Sequence, residues 1–149
     1  MIYTELTGKA IKLMFEKHKE QVDKGGLPYV FHPWHVAEQM QDENATLVAL
    51  MHDLVEDTDV TFSDLKAYGF PVEVIEALQL LTHDPAVAYM DYIQQISTNP
   101  LARKVKIADL EHNMDASRLS DEQLDSPKRR EKYTLYKKSL ELLQAKENI

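Results

Sequence analysis

The stretch Leu47-Val48-Ala49-Leu50-Met51-His52-Asp53-Leu54-Val55-Glu56-Asp57-Thr58 decides the fold. Apolar residues fall at Leu47, Leu50, Met51, Leu54 and Val55, the i, i+3, i+4, i+7, i+8 pattern of a helix packed on a core. At about 100° per residue, His52, Asp53, Glu56 and Asp57 then share an arc of roughly 140° on the opposite side. A row of carboxylates is also what a plain solvated helix face looks like. Adjacent His-Asp followed by Glu-Asp, with no basic residue among them, is equally the composition of a metal or acid–base site. Partners from other segments decide between the two.

Outward from this helix, only four glycines and six prolines punctuate the chain. Long stretches of 3.6-residue periodicity lie between them, and strand-like alternation is nearly absent. The pattern predicts an all-α bundle of about eight helices. The first runs from about Leu6 to Val22, with Ala10, Leu13, Met14 and Phe15 inward, and ends in a loop through Lys24, Gly25 and Gly26. A short second helix opens at His32-Pro33, with Pro33 at its first position. The third is the Leu47–Thr58 helix, opened by Asn44. Thr61-Phe62-Ser63-Asp64 reads as the capped start of a fourth, ended by Gly69. Pro71 starts a fifth with Val72, Ile75, Leu78 and Leu81 as its buried stripe. His83-Asp84-Pro85 reads as a turn, not as a second metal motif. A sixth passes through Tyr89, Tyr92, Ile93 and Ile96, and a seventh runs from Pro100 to about Leu119. The last, Pro127 to about Gln144, turns Tyr133, Tyr136, Leu140 and Leu143 inward and closes the bundle.

With 149 residues, one domain spanning 1–149 is the expectation. No cysteine is present, so thiolate metal sites and disulfides are excluded, and a metal must use imidazole and carboxylate. No apolar run has the length of a membrane span, and no signal-peptide layout opens the chain. A cytoplasmic location, with no membrane partner, is the expectation. A net charge of −8 argues against a nucleic-acid polymer as partner. It leaves room for a small anionic nucleotide, because a bound cation and a few lysines reverse the field locally.

Two further segments supply the partners. His32 is fixed by the turn into the second helix, with His35 one turn on. On the seventh helix Lys106, Asp109 and Asn113 share a face at three- and four-residue spacing. A Lys–Asp surface pair would look the same there and contribute little. Taken together, His32, His52, Asp53 and Asp109 combine two imidazoles with two carboxylates. That set suits one divalent ion such as manganese, iron or zinc.

These residues carry a resemblance. The pattern His32…His52-Asp53…Asp109 resembles the HD phosphohydrolase superfamily. Within it, Pro28–Ala37, His52–Thr58 and Lys106–Asn113 are similar to the hydrolase domain of the RelA/SpoT-type alarmone enzymes, in order, over about residues 6 to 120. The resemblance implies an all-α HD-type bundle with one divalent ion, manganese foremost. It implies release of the 3′-pyrophosphate of guanosine tetra- or pentaphosphate, the chemistry of the stringent response. By position, His32, His52, Asp53 and Asp109 would bind the metal, and Glu56 and Asp57 would orient and deprotonate the attacking water. Asn113 would stand near the nucleotide sugar or the metal, with Lys24 and Tyr29 as further substrate contacts. The segment before Tyr29 carries Lys24 but no arginine, which leaves other nucleotides or phosphoesters open as substrates. A nucleotide-sensing module without turnover and an all-α adaptor are the remaining readings.

Overall fold

A helix with no solvent face lies at the centre. In α3, Glu43–Met51, every residue from Ala45 to Met51 is buried. Asp42 caps it from an extended conformation (φ −136°, ψ 168°) by accepting a 2.8 Å hydrogen bond from the Ala45 N–H. The expected one-sided stripe is thus only part of the buried surface, because neighbours cover every face. The computed structural model describes residues 1–117 and 119–148. Around α3 pack α1 (Glu5–His18), α2 (Phe31–Glu38), α6 (Val72–Leu81) and α8 (Pro100–Met114). The remaining helices are α4 (Leu54–Asp57), α5 (Phe62–Ala67), α7 (Tyr89–Ile96), α9 (Asp121–Leu124) and α10 (Pro127–Glu147). Among the described residues there is no strand, only an isolated bridge between Val22 and Pro28. No helix among them is long and apolar enough to cross a membrane.

The all-α expectation holds, but among the described residues ten helices replace about eight. One extra comes from a break. The helix expected over Leu47–Thr58 stops at Met51, and Asp53 takes φ −107°, ψ 1° before α4 begins. The other extra is α9, one turn capped by Ser120.

Boundaries also shift. The first helix ends at His18, four residues before Val22, which instead bridges Pro28. Phe15 is 53% exposed, so only Ala10 and Met14 of the expected inner set are fully buried. α2 starts at Phe31, so Pro33 is its third residue; a missing N–H is harmless throughout the first turn. α5 has the expected Thr61 cap, and Gly69 takes the positive φ of 89° that ends it. In α6, Pro71 is the extended N-cap and the buried face runs through Val74, Ile75, Ala77, Leu78 and Leu81, while Val72, the first residue, is exposed. α8 stops at Met114 rather than near Leu119, with Asp115 extended; position 118 of that expected span lies outside the described residues. α10 buries Leu143 and Ser139, half-buries Tyr136 and Leu140, and leaves Tyr133 44% exposed.

The continuous core includes Leu47, Leu50, Leu54, Leu65, Leu78 and Ile93. Burying each such side chain contributes about 1.5–3 kcal/mol. This mass fixes α2, α3 and α8 against one another, and His32, His52, Asp53 and Asp109 hang from those three helices and the α3–α4 break.

Candidate active site

α2 buries Val36 and Ala37 against the core. That orientation sends His32 toward α8, where Asp109 sits among buried Val105, Ala108 and Leu110. His32 Nε2 and Asp109 Oδ1 are 2.8 Å apart. The α3–α4 break delivers His52, whose Nε2 lies 3.3 Å from His32 Nε2 and 3.5 Å from Asp109 Oδ1. Asp53 Oδ2 is 3.1 Å from His52 Nε2 and 3.9 Å from His32 Nε2. His32, His52 and Asp109 are each at most 5% exposed. All four expected ligands therefore converge. Donor atoms of His32, His52 and Asp109 lie within 4.8 Å of one another, and those of Asp53, Glu56 and Asp57 form an adjoining set with the same spread.

The cluster sets hydrogen-bond acceptors close together. His52 Nδ1–H donates to the Ala49 carbonyl at 2.7 Å, so the neutral ring carries its lone pair on Nε2. That lone pair faces the carboxylates of Asp53 and Asp109. Buried acceptors set against each other are unfavourable unless a proton or a cation stands between them. Burial opposes charge on His52, yet Asp53 and Asp109 raise its pKa well above the ordinary value. A divalent cation is the other resolution. Imidazole and carboxylate donors without thiolate fit the borderline and hard ions, so the residues present fit a metal.

The neighbours hold these donors in place. Both oxygens of Asp109 are engaged, one by Lys106 Nζ at 2.9 Å and the other by Asn113 Nδ2 at 3.0 Å. Burial would raise the Asp109 pKa, but Lys106 first, then His32 and His52, drive it well below the carboxylate range. The Lys106–Asp109 pair is thus no surface pair. The Lys106 side chain is only 13% exposed and its ammonium lies 5.4 Å from the centre of the Tyr92 ring. Burial would likewise raise Asp53, but the His52 charge and hydrogen bond hold it at about 2. The Tyr29 hydroxyl donates to Asp53 Oδ2, and burial followed by the Asp53 charge keeps that phenol protonated.

Glu56 and Asp57 are more exposed. Glu56 Oε1 accepts the His83 N–H at 2.7 Å, which ties the His83-Asp84 turn to the cluster. The His83 ring itself turns to the Val87 carbonyl at 2.7 Å, consistent with a turn residue. Partial burial, then Asp53 and Glu56, push Asp57 up to about 6. A carboxylate in that range suits proton acceptance near neutral pH.

Two cavities flank the cluster. One of about 250 Å³ is lined by Lys24, Gly25, Tyr29, His32, Asn113 and Arg129, among others. The other, about 210 Å³, is lined by residues that include Asp53, Glu56, Lys106 and Asp109. Tyr29, His32, Asn113 and Tyr136 border both. The three expected substrate contacts, Lys24, Tyr29 and Asn113, thus share one wall, although the Tyr29 hydroxyl and the Asn113 amide are already engaged by aspartates.

Sequence reasoning missed Arg129, Tyr136 and His112. Arg129 and Tyr136 belong to the helix read only as a closing element, and nothing local marks them. His112 stands three residues after Asp109, a helical spacing that could have flagged it. Its Nδ1 is 2.7 Å from His32 Nδ1, and its ring stacks on His35 at 4.2 Å. When His32 Nδ1–H donates to His112, the His32 Nε2 lone pair is turned to the cluster. Replacing His112 with alanine is expected to weaken divalent-ion affinity about 10–100-fold, measured by chelator competition. Unchanged affinity would reduce the contact to packing.

No protein-family model matches the chain. It is 33% identical over 128 residues to guanosine-3′,5′-bis(diphosphate) 3′-pyrophosphohydrolase MESH1 of Danio rerio, covering 76% of this chain and 71% of that protein. It is 38% identical over 68 residues to guanosine-3′,5′-bis(diphosphate) 3′-pyrophosphohydrolase of Aquifex aeolicus, a match covering 43% of this chain but only 10% of that much longer protein. A solved structure described as a metazoan ortholog of SpoT that hydrolyses ppGpp shares the fold. The TM-score is 0.72 at 24% identity, over 94% of this chain and 85% of that one.

Proposed function

The chain belongs to the MESH1 family of guanosine-3′,5′-bis(diphosphate) 3′-pyrophosphohydrolases, and from that membership we propose that it hydrolyses the 3′-pyrophosphate of this alarmone. Water is consumed, the bond between the ribose 3′-oxygen and phosphorus breaks, and GDP and pyrophosphate leave. One observation carries the reading. His52 Nε2 has Asp53 Oδ2 at 3.1 Å and Asp109 Oδ1 at 3.5 Å, a convergence of imidazole and carboxylate donors that supports a cation there.

In this reading His32, His52, Asp53 and Asp109 hold one divalent ion, with manganese the first candidate. The chemistry such an ion supplies is a lowered pKa for water and neutralisation of phosphoryl oxygens. The protein's residues do the rest. Asp57, with its raised pKa, takes the proton of the attacking water, and Glu56, pinned by the His83 N–H, helps to orient that water. Lys106 and Asn113 fix both oxygens of Asp109, and Tyr29 fixes Asp53. The nucleoside occupies the cavity bordered by Lys24, Tyr29, Asn113 and Arg129. Arg129 contributes the planar cation that the segment before Tyr29 lacks. Its Nη2 donates to the Asn113 carbonyl at 3.1 Å, which anchors it at the cavity wall.

Product analysis in manganese tests the proposal. Guanosine 3′,5′-bispyrophosphate is compared with nucleoside triphosphates and 3′-phosphorylated nucleotides. Pyrophosphate and GDP from the alarmone, released faster than any product from the others, is the expected result. Faster hydrolysis of an ordinary nucleotide would retain the phosphohydrolase and discard the substrate.

A further inference from the structure

Beyond Arg129 the cavity wall continues into a second, more strongly cationic one. Lys24 sits in a turn that Asp23 organises by accepting the N–H groups of Gly25 and Leu27 at 2.8 and 2.9 Å. The Lys24 carbonyl accepts Gln123 Nε2 of α9 at 2.9 Å, so α9 is tied across the loop. From the other side α10 presents Lys128, Arg129 and Lys132. A groove of about 460 Å³ is lined by these four cations together with Leu119, Glu122, Gln123 and Ser126. It shares Lys24, Leu119 and Arg129 with the cavity at His32.

The electrostatics of this groove are unusual for a chain of net charge −8. Lys24 and Lys132 approach each other closely. That contact above all, with burial and the charges of Lys132, Arg129 and Lys128, brings the Lys24 pKa down to about 8. Among the described residues, Glu122 is the one carboxylate in the lining. Ammonium groups held together repel one another unless an anion lies between them. An Arg fork beside several lysines is the donor set of phosphate recognition.

We propose that this groove is a separate anion subsite that receives the 5′-phosphate chain of the nucleotide whose 3′ end lies at the His32–Asp109 cluster. The inference rests on the nucleotide reading above and adds a specificity to it: the enzyme reads the number of 5′ phosphates. A 5′-hydroxyl compound leaves the lysines unsatisfied, whereas a diphosphate or triphosphate reaches Lys128 and Lys132. Neither lysine touches the catalytic cluster, so the effect falls on binding and not on the chemical step.

The test uses the manganese-loaded protein and guanosine 3′-pyrophosphates carrying a 5′-hydroxyl, monophosphate, diphosphate or triphosphate. KM is expected to fall about tenfold or more from the 5′-hydroxyl to the 5′-diphosphate compound, with kcat unchanged, as charge-assisted hydrogen bonds form. The double variant Lys128→Gln/Lys132→Gln, which keeps helix propensity, should erase that difference and leave the 5′-hydroxyl substrate unaffected. A KM indifferent to 5′ phosphates in the wild type, or a variant weakened equally on all four substrates, would overturn the subsite. Calorimetric titration with GDP and guanosine decides the matter without turnover. Tighter GDP binding that the double variant loses supports the groove even if no 3′-pyrophosphate is cleaved, and equal binding refutes it. Absence of cleavage alone would overturn only the activity.

Discussion

Asp53→Ala is expected to abolish turnover and to remove the divalent ion. Asp53 is the residue on which the break between α3 and α4 turns, and its Oδ2 lies 3.1 Å from His52 Nε2. With the carboxylate gone, two imidazoles and Asp109 remain, and the charge available to a cation is halved. The affinity loss should exceed the ~10–100-fold typical of residues that merely orient a ligand. Stability separates this from misfolding. Metal binding to the native state alone raises the apparent stability by about 2.7 kcal/mol at a hundredfold excess over Kd. The wild type should therefore melt higher with manganese than without it, and Asp53→Ala should show no such increment. The metal-free variant still loses an acceptor for the Tyr29 hydroxyl, at a cost of about 1–3 kcal/mol. Full metal occupancy of Asp53→Ala by elemental analysis would remove Asp53 from the ligand set.

How far this centre could be read in advance depends on what each residue answers to. Leu47, Leu50 and Leu54 are buried as their spacing requires, because periodic apolar side chains have one way to leave water. The Thr61 capping box and the positive φ of Gly69 are local too, written in hydroxyl chemistry and a missing Cβ. The break at His52-Asp53 is different. Apolar spacing runs straight through it, so periodicity alone describes one continuous helix. The interruption coincides with the His52 ring bonding the Ala49 carbonyl and with Asp53 turning into the cluster. Val72 keeps the phase of buried Ile75, Leu78 and Leu81 but is the first residue of α6, at an end that the core does not cover, and it is exposed. Arg129 could not be read at all. It reaches the site only because α10 packs along α8, and its partner there is a backbone carbonyl. Ligand-type residues were legible because few other roles explain buried His and Asp together. The α10 cations Lys128, Arg129 and Lys132 were not, because Lys and Arg on a helix ordinarily face water.

Glu56→Gln and Asp57→Asn should divide the work of the adjoining carboxylates. Asp57 lies four residues past Asp53, and partial burial with its acidic neighbours pushes it up to about 6. A group in that range is deprotonated at neutral pH yet basic enough to accept a proton as water attacks phosphorus. Asp57→Asn cannot accept it, and removal of a general base lowers the rate by about 10²–10⁴-fold. Glu56 is held differently, with Oε1 accepting the His83 N–H at 2.7 Å. A glutamine keeps that acceptor in the same place, so Glu56→Gln loses charge but not geometry. Both variants should retain the ion and bind the nucleotide as the wild type does, since neither belongs to the His32–His52–Asp53–Asp109 set. Turnover should fall in both, and further in Asp57→Asn. Single-turnover rates set beside equilibrium nucleotide binding make the measurement. If Asp57→Asn turns over at the wild-type rate, the proton goes elsewhere and Glu56 becomes the acceptor. If the wild type, loaded with manganese, binds the nucleotide tightly and both variants leave an already absent phosphate release unchanged, the centre is a sensor that holds its ligand without cutting it.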